Sequence, residues 1–255
     1  MRTTDDFRAA YRALENRMKV LAETDGDVFL PSPEPSGPVD HVVIGMEPSL
    51  GRWSRSADDA KSRVEAGFRN FLSSTEDFIL HFCVRQYLCE GAERYHITDF
   101  SKGAMLVDRA NVARVARYER WYPLLREEMN LVATPEASIV AIGNDVERHL
   151  ARQRFERPFT KIIHYSGQAG SARREKVSGH EDNFKAFKDL VSLEDLVAAA
   201  RDVLTEARIP ESISEQALLK LKRSQLTNSR LELLFGYKLA FESIRAGRST
   251  KEGRR

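Results

Sequence analysis

The chain has 255 residues, 42% hydrophobic and 31% charged, with 40 Lys plus Arg against 38 Asp plus Glu. That composition excludes a wholly disordered or fibrous protein, and a chain of this length buries roughly 70 to 75% of the surface it exposes when unfolded. No apolar run approaches the ~20 residues that span a bilayer, and the opening MRTTDDFRAAYRALENRM lacks the apolar centre of a secretory signal, so the sequence reads as cytoplasmic. Two cysteines, Cys83 and Cys89, are too few for a disulfide framework, a four-thiolate zinc site or an iron–sulfur cluster, and no metal or cofactor is expected.

Residues 4 to 23 predict a helix, because Phe7, Tyr11, Leu14, Met18 and Leu21 recur at three- and four-residue steps. The stretch PSPEPSGP at 31 to 38 ends regular structure, since its four prolines fix φ and remove donors. Then come four short β-branched runs: VDHVVIG from 39, RYHITDF at 94 to 100, ASIVAIG at 137 to 143 and TKIIHYSG at 160 to 167. Helix-like stretches at 57 to 89, 108 to 130 and 144 to 154 separate them. Strands alternating with helices predict an α/β fold, a three-layer α/β/α sandwich around a central four-stranded parallel sheet with added N- and C-terminal helices. The expected division is an N-terminal helix over 1–30, an α/β core over 39–177, a helical extension over 178–247 and a basic tail over 248–255.

In open parallel sheets ligands sit beyond the carboxyl ends of the strands, and here those ends carry Gly45-Met46-Glu47-Pro48-Ser49, Thr98-Asp99-Phe100-Ser101-Lys102, Gly143-Asn144 and His164-Tyr165-Ser166-Gly167. Glu47 is either a site acid or a helix N-terminal charge, and Asp99 either reads a ligand or caps a turn or bridges Lys102. Bases are clustered: eight against two acids from Arg148 to Lys176, and ten against three from Leu218 to the end. Such clusters suit a polyanion or a solvated helix face.

The ordered set IGMEPS, ITDFSK, the proline-led strand ending in Gly143 and HYS resembles the motifs of the uracil-DNA glycosylase superfamily over residues 39 to 170. The resemblance implies base flipping and hydrolysis of an N-glycosidic bond in DNA, leaving an abasic site. It assigns Glu47 to the water-aligning carboxylate and His164 to the leaving-group donor, with Phe68 or Phe71 stacking on the flipped base. It places Pro48, Ser166, Gly167 and Gln168 against DNA, Gln168 as a minor-groove wedge, with Arg173, Arg174 and Lys176 for phosphates. Two departures shape the expected substrate. Ser49 stands where the family carries a tyrosine that blocks carbon 5, and Asp99 replaces the base-reading Asn. A carboxylate only accepts hydrogen bonds, which suits the amino group of cytosine and repels the O4 of uracil. The sequence therefore predicts a glycosylase for a 5-modified cytosine of foreign, for example phage, DNA, which is a defence role. Uracil repair and a non-catalytic nucleic-acid-binding module are the alternatives.

Overall fold

The computed structural model describes residues 3–51, 53–105, 114–165 and 169–252. In chain order the elements are α1 (Thr4–Thr24), β1 (Val28–Phe29), β2 (Val39–Gly45), α2 (Ala57–Glu65), α3 (Thr75–Cys83) with a π-helical turn (Val84–Leu88), β3 (Tyr95–Asp99) and β4 (Gly103–Ala104). They continue as α4 (Arg114–Val132), β5 (Ala133–Ile142), α5 (Gly143–Arg152), β6 (Phe159–Ile162), α6 (Gly170–Val177), α7 (Glu181–Lys188), α8 (Leu193–Glu206), α9 (Glu211–Lys222) and α10 (Asn228–Glu252). The predicted sheet is present: four strands in the order β3-β2-β5-β6, parallel and flanked by helices, in keeping with the three-layer α/β/α class. A two-stranded antiparallel ribbon of β1 and β4, too short to be legible in the sequence, adds to it.

The chain divides into two compact units, one of residues 1–71 and 94–159, the other of residues 72–93 and 160–255. This differs from the division expected from sequence. The N-terminal helix is no separate segment, because its apolar stripe of Phe7, Tyr11, Leu14 and Met18 joins Trp121, Leu125 and Met129 of α4 in one core with Val39, Val42 and Ile44 of β2. Each such fully buried large side chain contributes about 1.5 to 3 kcal/mol. Capping fixes where α1 starts, since Thr3 accepts from the Asp6 amide and Asp6 accepts from the Thr3 amide. Val42, Val43 and Ile44 are all fully buried, as a strand covered on both faces requires. β5 begins four residues before the expected start. Its register on β2 jumps from Val39–Ala133 to His41–Ser138, so that Pro135 and Glu136 bulge outward, which is why a proline is tolerated there.

The first unit also buries an ion network. Lys102 Nζ lies 2.7 Å from Glu128 Oε2 and also donates to Thr98, while His96 Nε2 is 3.0 Å from Glu128 Oε1. Lys102 and Glu128 are 1% and 0% exposed. Burial alone would raise the Glu128 carboxyl, but the Lys102 ammonium and the His96 bond overturn it and hold the group at about 2. The Lys102 ammonium therefore serves this network, and the sequence alternative of an Asp99–Lys102 bridge gives way to it. Lys102→Met leaves a buried carboxylate without its cation and is expected to cost about 3 to 5 kcal/mol in denaturant unfolding at neutral pH. With the folded Glu128 pKa depressed, the network's stabilisation holds above the ordinary carboxylate range and is lost as pH falls from about 4.5 toward about 2. A wild-type-like midpoint in the variant would show that the network is not holding this core.

The helix-like stretch predicted at 57 to 89 is broken into α2 in the first unit and α3 with its π-turn in the second, where the N-cap Ser74 accepts from the Asp77 amide. Phe184 and Phe187 of α7 pack on Phe235 of α10, each with ring centroids 5.3 Å apart. Four of the ten bases after Leu218 are paired with acids among the described residues. Arg230 pairs with Glu76, Arg245 with Glu90 and Arg248 with Glu93, so these three bases tie α10 to its own unit, while Lys238 pairs with Glu242 along the helix. Residues 253–255 of the expected basic tail lie outside the described residues. No described helix is long and apolar enough to cross a membrane.

Candidate functional site

β2 and β3 run side by side with Gly45 opposite Asp99, so the loops bearing Glu47 and Asp99 leave the same edge of the sheet. Backbone bonds from Phe100 N to Gly45 O and Ser101 N to Met46 O, at 2.9 and 3.1 Å, extend the pairing past the strand ends. Gly45 is required there, because a Cβ would overlap Asp99 Oδ1 and stand 3.3 Å from Phe71 Cζ. The Asp99 carboxylate thus occupies the space that a side chain at 45 would take. Its Oδ2 accepts from Asn70 Nδ2 at 2.6 Å, and the residue is 3% exposed.

Phe71, next to Asn70, has φ 60°, a conformation few non-glycine residues adopt. Strain of this sort persists only where surrounding structure holds it. Here it directs a 1%-exposed ring against Gly45 while keeping Asn70 on Asp99. Phe68 is placed differently: it stacks on Trp53 at 4.7 Å with planes 11° apart, so one ring face is already covered. Trp53 in turn donates to the Ser49 carbonyl at 2.6 Å. Ser49 is exposed and Pro48 is buried.

Glu47 sits at the head of this loop with its side chain 5% exposed. Arg114 Nη2 donates to Oε1 at 2.8 Å, and the Tyr118 hydroxyl donates to Oε2. Tyr118 is braced by Phe100, stacked at 4.6 Å, and by the edge of His149 at 4.4 Å. Burial pushes the Glu47 carboxyl above its ordinary value, and the nearby Arg114 and Arg117 oppose that rise without cancelling it. Burial likewise lowers His149, so its imidazole is held toward the neutral form.

None of Asn70, Arg114, Tyr118 or His149 was singled out from sequence. A signal existed: Arg114 and Tyr118, and likewise Asp145 and His149, are four residues apart and so share a helix face. What the sequence could not supply is that the first pair faces β2.

His164, Arg173, Arg174 and Lys176 belong to the second unit. The His164 ring stacks on Tyr165 at 4.7 Å, and the Tyr165 carbonyl accepts from Arg173. Arg173 also donates to Ser229 at 3.0 Å and is 4% exposed. The expectation that Arg173 meets a phosphate is therefore corrected: its guanidinium is committed to tying the strand-end segment to α10. Arg174 and Lys176, one and three residues on, are exposed. Ser166, Gly167 and Gln168 lie outside the described residues. Among the described residues no group of His, Cys, Asp and Glu could hold a metal ion.

Chemically, the first unit offers a buried carboxylate of raised basicity, a second carboxylate keyed to an amide, and an aromatic ring, all at the carboxyl edge of a parallel sheet. No protein-family model matches the chain, and neither curated proteins nor solved structures give a match.

Proposed function

We propose that the protein is a DNA glycosylase that hydrolyses the N-glycosidic bond of a flipped base, with a 5-modified cytosine of foreign DNA as its substrate. The observation that carries this reading is the pairing of Glu47 and Asp99 at adjacent strand ends, one carboxylate raised by burial and the other fixed beside the Phe71 ring. In the reaction the C1′–N bond breaks with its electron pair passing to the base, and positive charge grows on the sugar. Glu47 stabilises that charge and takes a proton from the water whose oxygen bonds to C1′. The leaving base acquires a proton in turn. Asp99 accepts from the exocyclic amino group of the base, while the exposed Ser49 leaves carbon 5 uncrowded. DNA is the proposed partner, and the exposed Arg174 and Lys176 supply backbone contacts.

One observation favours a second reading. Glu47 is already engaged by Arg114 and Tyr118, as a purely structural carboxylate would be, and a nucleic-acid-binding module without activity would need nothing more. Incubation with duplexes carrying uracil, 5-hydroxymethylcytosine or its glucosylated form, followed by alkaline cleavage, separates the readings. Strand breaks at the modified cytosine support the proposal. Breaks at uracil alone favour repair, and binding without breaks favours the module.

A further inference from the structure

The glycosylase reading uses Glu47 as a negative charge beside the sugar, yet a guanidinium already lies on it. Arg114 on Oε1 lowers the carboxylate's basicity and offsets the charge that would stabilise a sugar cation. Tyr118 on Oε2 does neither to the same degree, because it is neutral and can hold the carboxylate in place throughout. For Glu47 to act, Arg114 has to be drawn away.

Three features of Arg114 indicate what draws it. Its side chain is 21% exposed, so it can be reached from solvent. Its other carboxylate contact, to Asp145 Oδ2, is long at 3.4 Å. Its Nε is buried with no acceptor among the described residues. A buried N–H without an acceptor is costly, and a phosphodiester presents two oxygens that a guanidinium engages through two nitrogens at once. A phosphate would therefore satisfy a donor that Glu47 and Asp145 leave unmet.

We propose that Arg114 is a phosphate-receiving latch: in the free protein it lies on Glu47, and the phosphodiester beside the target nucleotide takes it over, leaving the carboxylate to face the sugar. The proposal rests on the glycosylase reading of Glu47 and adds to it the residue that couples backbone binding to catalysis. After Arg114 leaves, the groups still acting on Glu47 are Arg117 and Tyr118 of α4 and Asp145 of α5, with the neutral His149 behind Tyr118. Tyr118 stays braced between Phe100 and His149, so Glu47 keeps its position.

The test reads the latch without turnover. The titration of the Glu47 carboxyl carbon is followed by NMR in protein carrying labelled glutamate, in chloride and in inorganic phosphate at matched ionic strength. The latch predicts that phosphate moves the wild-type midpoint upward, toward that of Arg114→Gln in chloride, and that the shift is lost in Arg114→Gln. A wild-type midpoint that phosphate leaves in place shows a fixed structural bridge and overturns the proposal. So does an Arg114→Gln midpoint equal to wild type, which would mean that Arg114 does not act on Glu47. If that variant fails to fold, the wild-type response to phosphate still decides. A phosphate shift in a protein that releases no base from any duplex overturns the glycosylase reading alone.

Discussion

Glu47→Gln is expected to lower single-turnover excision by about 10²- to 10⁴-fold while leaving duplex binding close to wild type, because a general base acts in the transition state and not in the bound ground state. Gln keeps the shape: its oxygen can still accept from Arg114 while its amide nitrogen donates to the Tyr118 hydroxyl, so the loop bearing residue 47 keeps both partners. The pH profile adds a second readout. With the Glu47 carboxyl raised by burial, the ionised form is depleted as pH falls, starting from above the ordinary carboxylate range, and activity should fall with it. Glu47→Gln should lack that acid limb. His164→Ala tests the donor role that the family resemblance implies for this imidazole; if the role holds, the expected loss is about 2.7 to 4 kcal/mol of barrier. Wild-type rates in Glu47→Gln would return this residue to a structural role.

Asp99→Asn is expected to invert base choice. The new side chain can keep its oxygen toward the Asn70 amide, which places an N–H₂ donor where Asp99 Oδ1 lies beside Gly45. A donor there repels the cytosine amino group and suits the O4 of uracil-type bases. A site built around a buried polar contact can discriminate by ~10⁴ or more, so a true contact should give a change of that order in the ratio of the two rates. Ser49→Tyr tests the other edge, since a ring at this exposed position should exclude bulky 5-substituents without altering the amino contact. A change of only a few-fold in Asp99→Asn would mean that Asp99 serves the strand-end packing alone.

The sheet was legible because its strands are short β-branched runs closed by Gly, Asp or Ser, and burial on both faces makes such runs continuous, as at Val42, Val43 and Ile44. α1 was legible through its periodic stripe. The unit boundary was not, because residues 72–93 lie between two strands of the first unit yet pack with helices more than a hundred residues later, as the Arg85–Glu206 and Arg230–Glu76 pairs show. Local pattern carries no information about such partners. The site was half legible for the same reason. Glu47 and Asp99 stand at strand ends and could be read by position, whereas Asn70 reaches Asp99 from a loop and Arg114 reaches Glu47 across 67 residues. Charge clustering does not say which bases have tertiary partners: Arg173 bonds Ser229 and the Tyr165 carbonyl, and Arg245 and Arg248 of α10 pair with Glu90 and Glu93.

The most direct measurement is the appearance of free base. A duplex carrying 5-hydroxymethylcytosine, glucosylated or not, is incubated with excess protein, and the small-molecule fraction is analysed by mass spectrometry beside a uracil duplex and an unmodified one. The expected result is release of the intact modified base in step with abasic sites, little release of uracil, none of unmodified cytosine, and loss of release in Glu47→Gln. Duplex bound at saturation with no base of any kind released would contradict it.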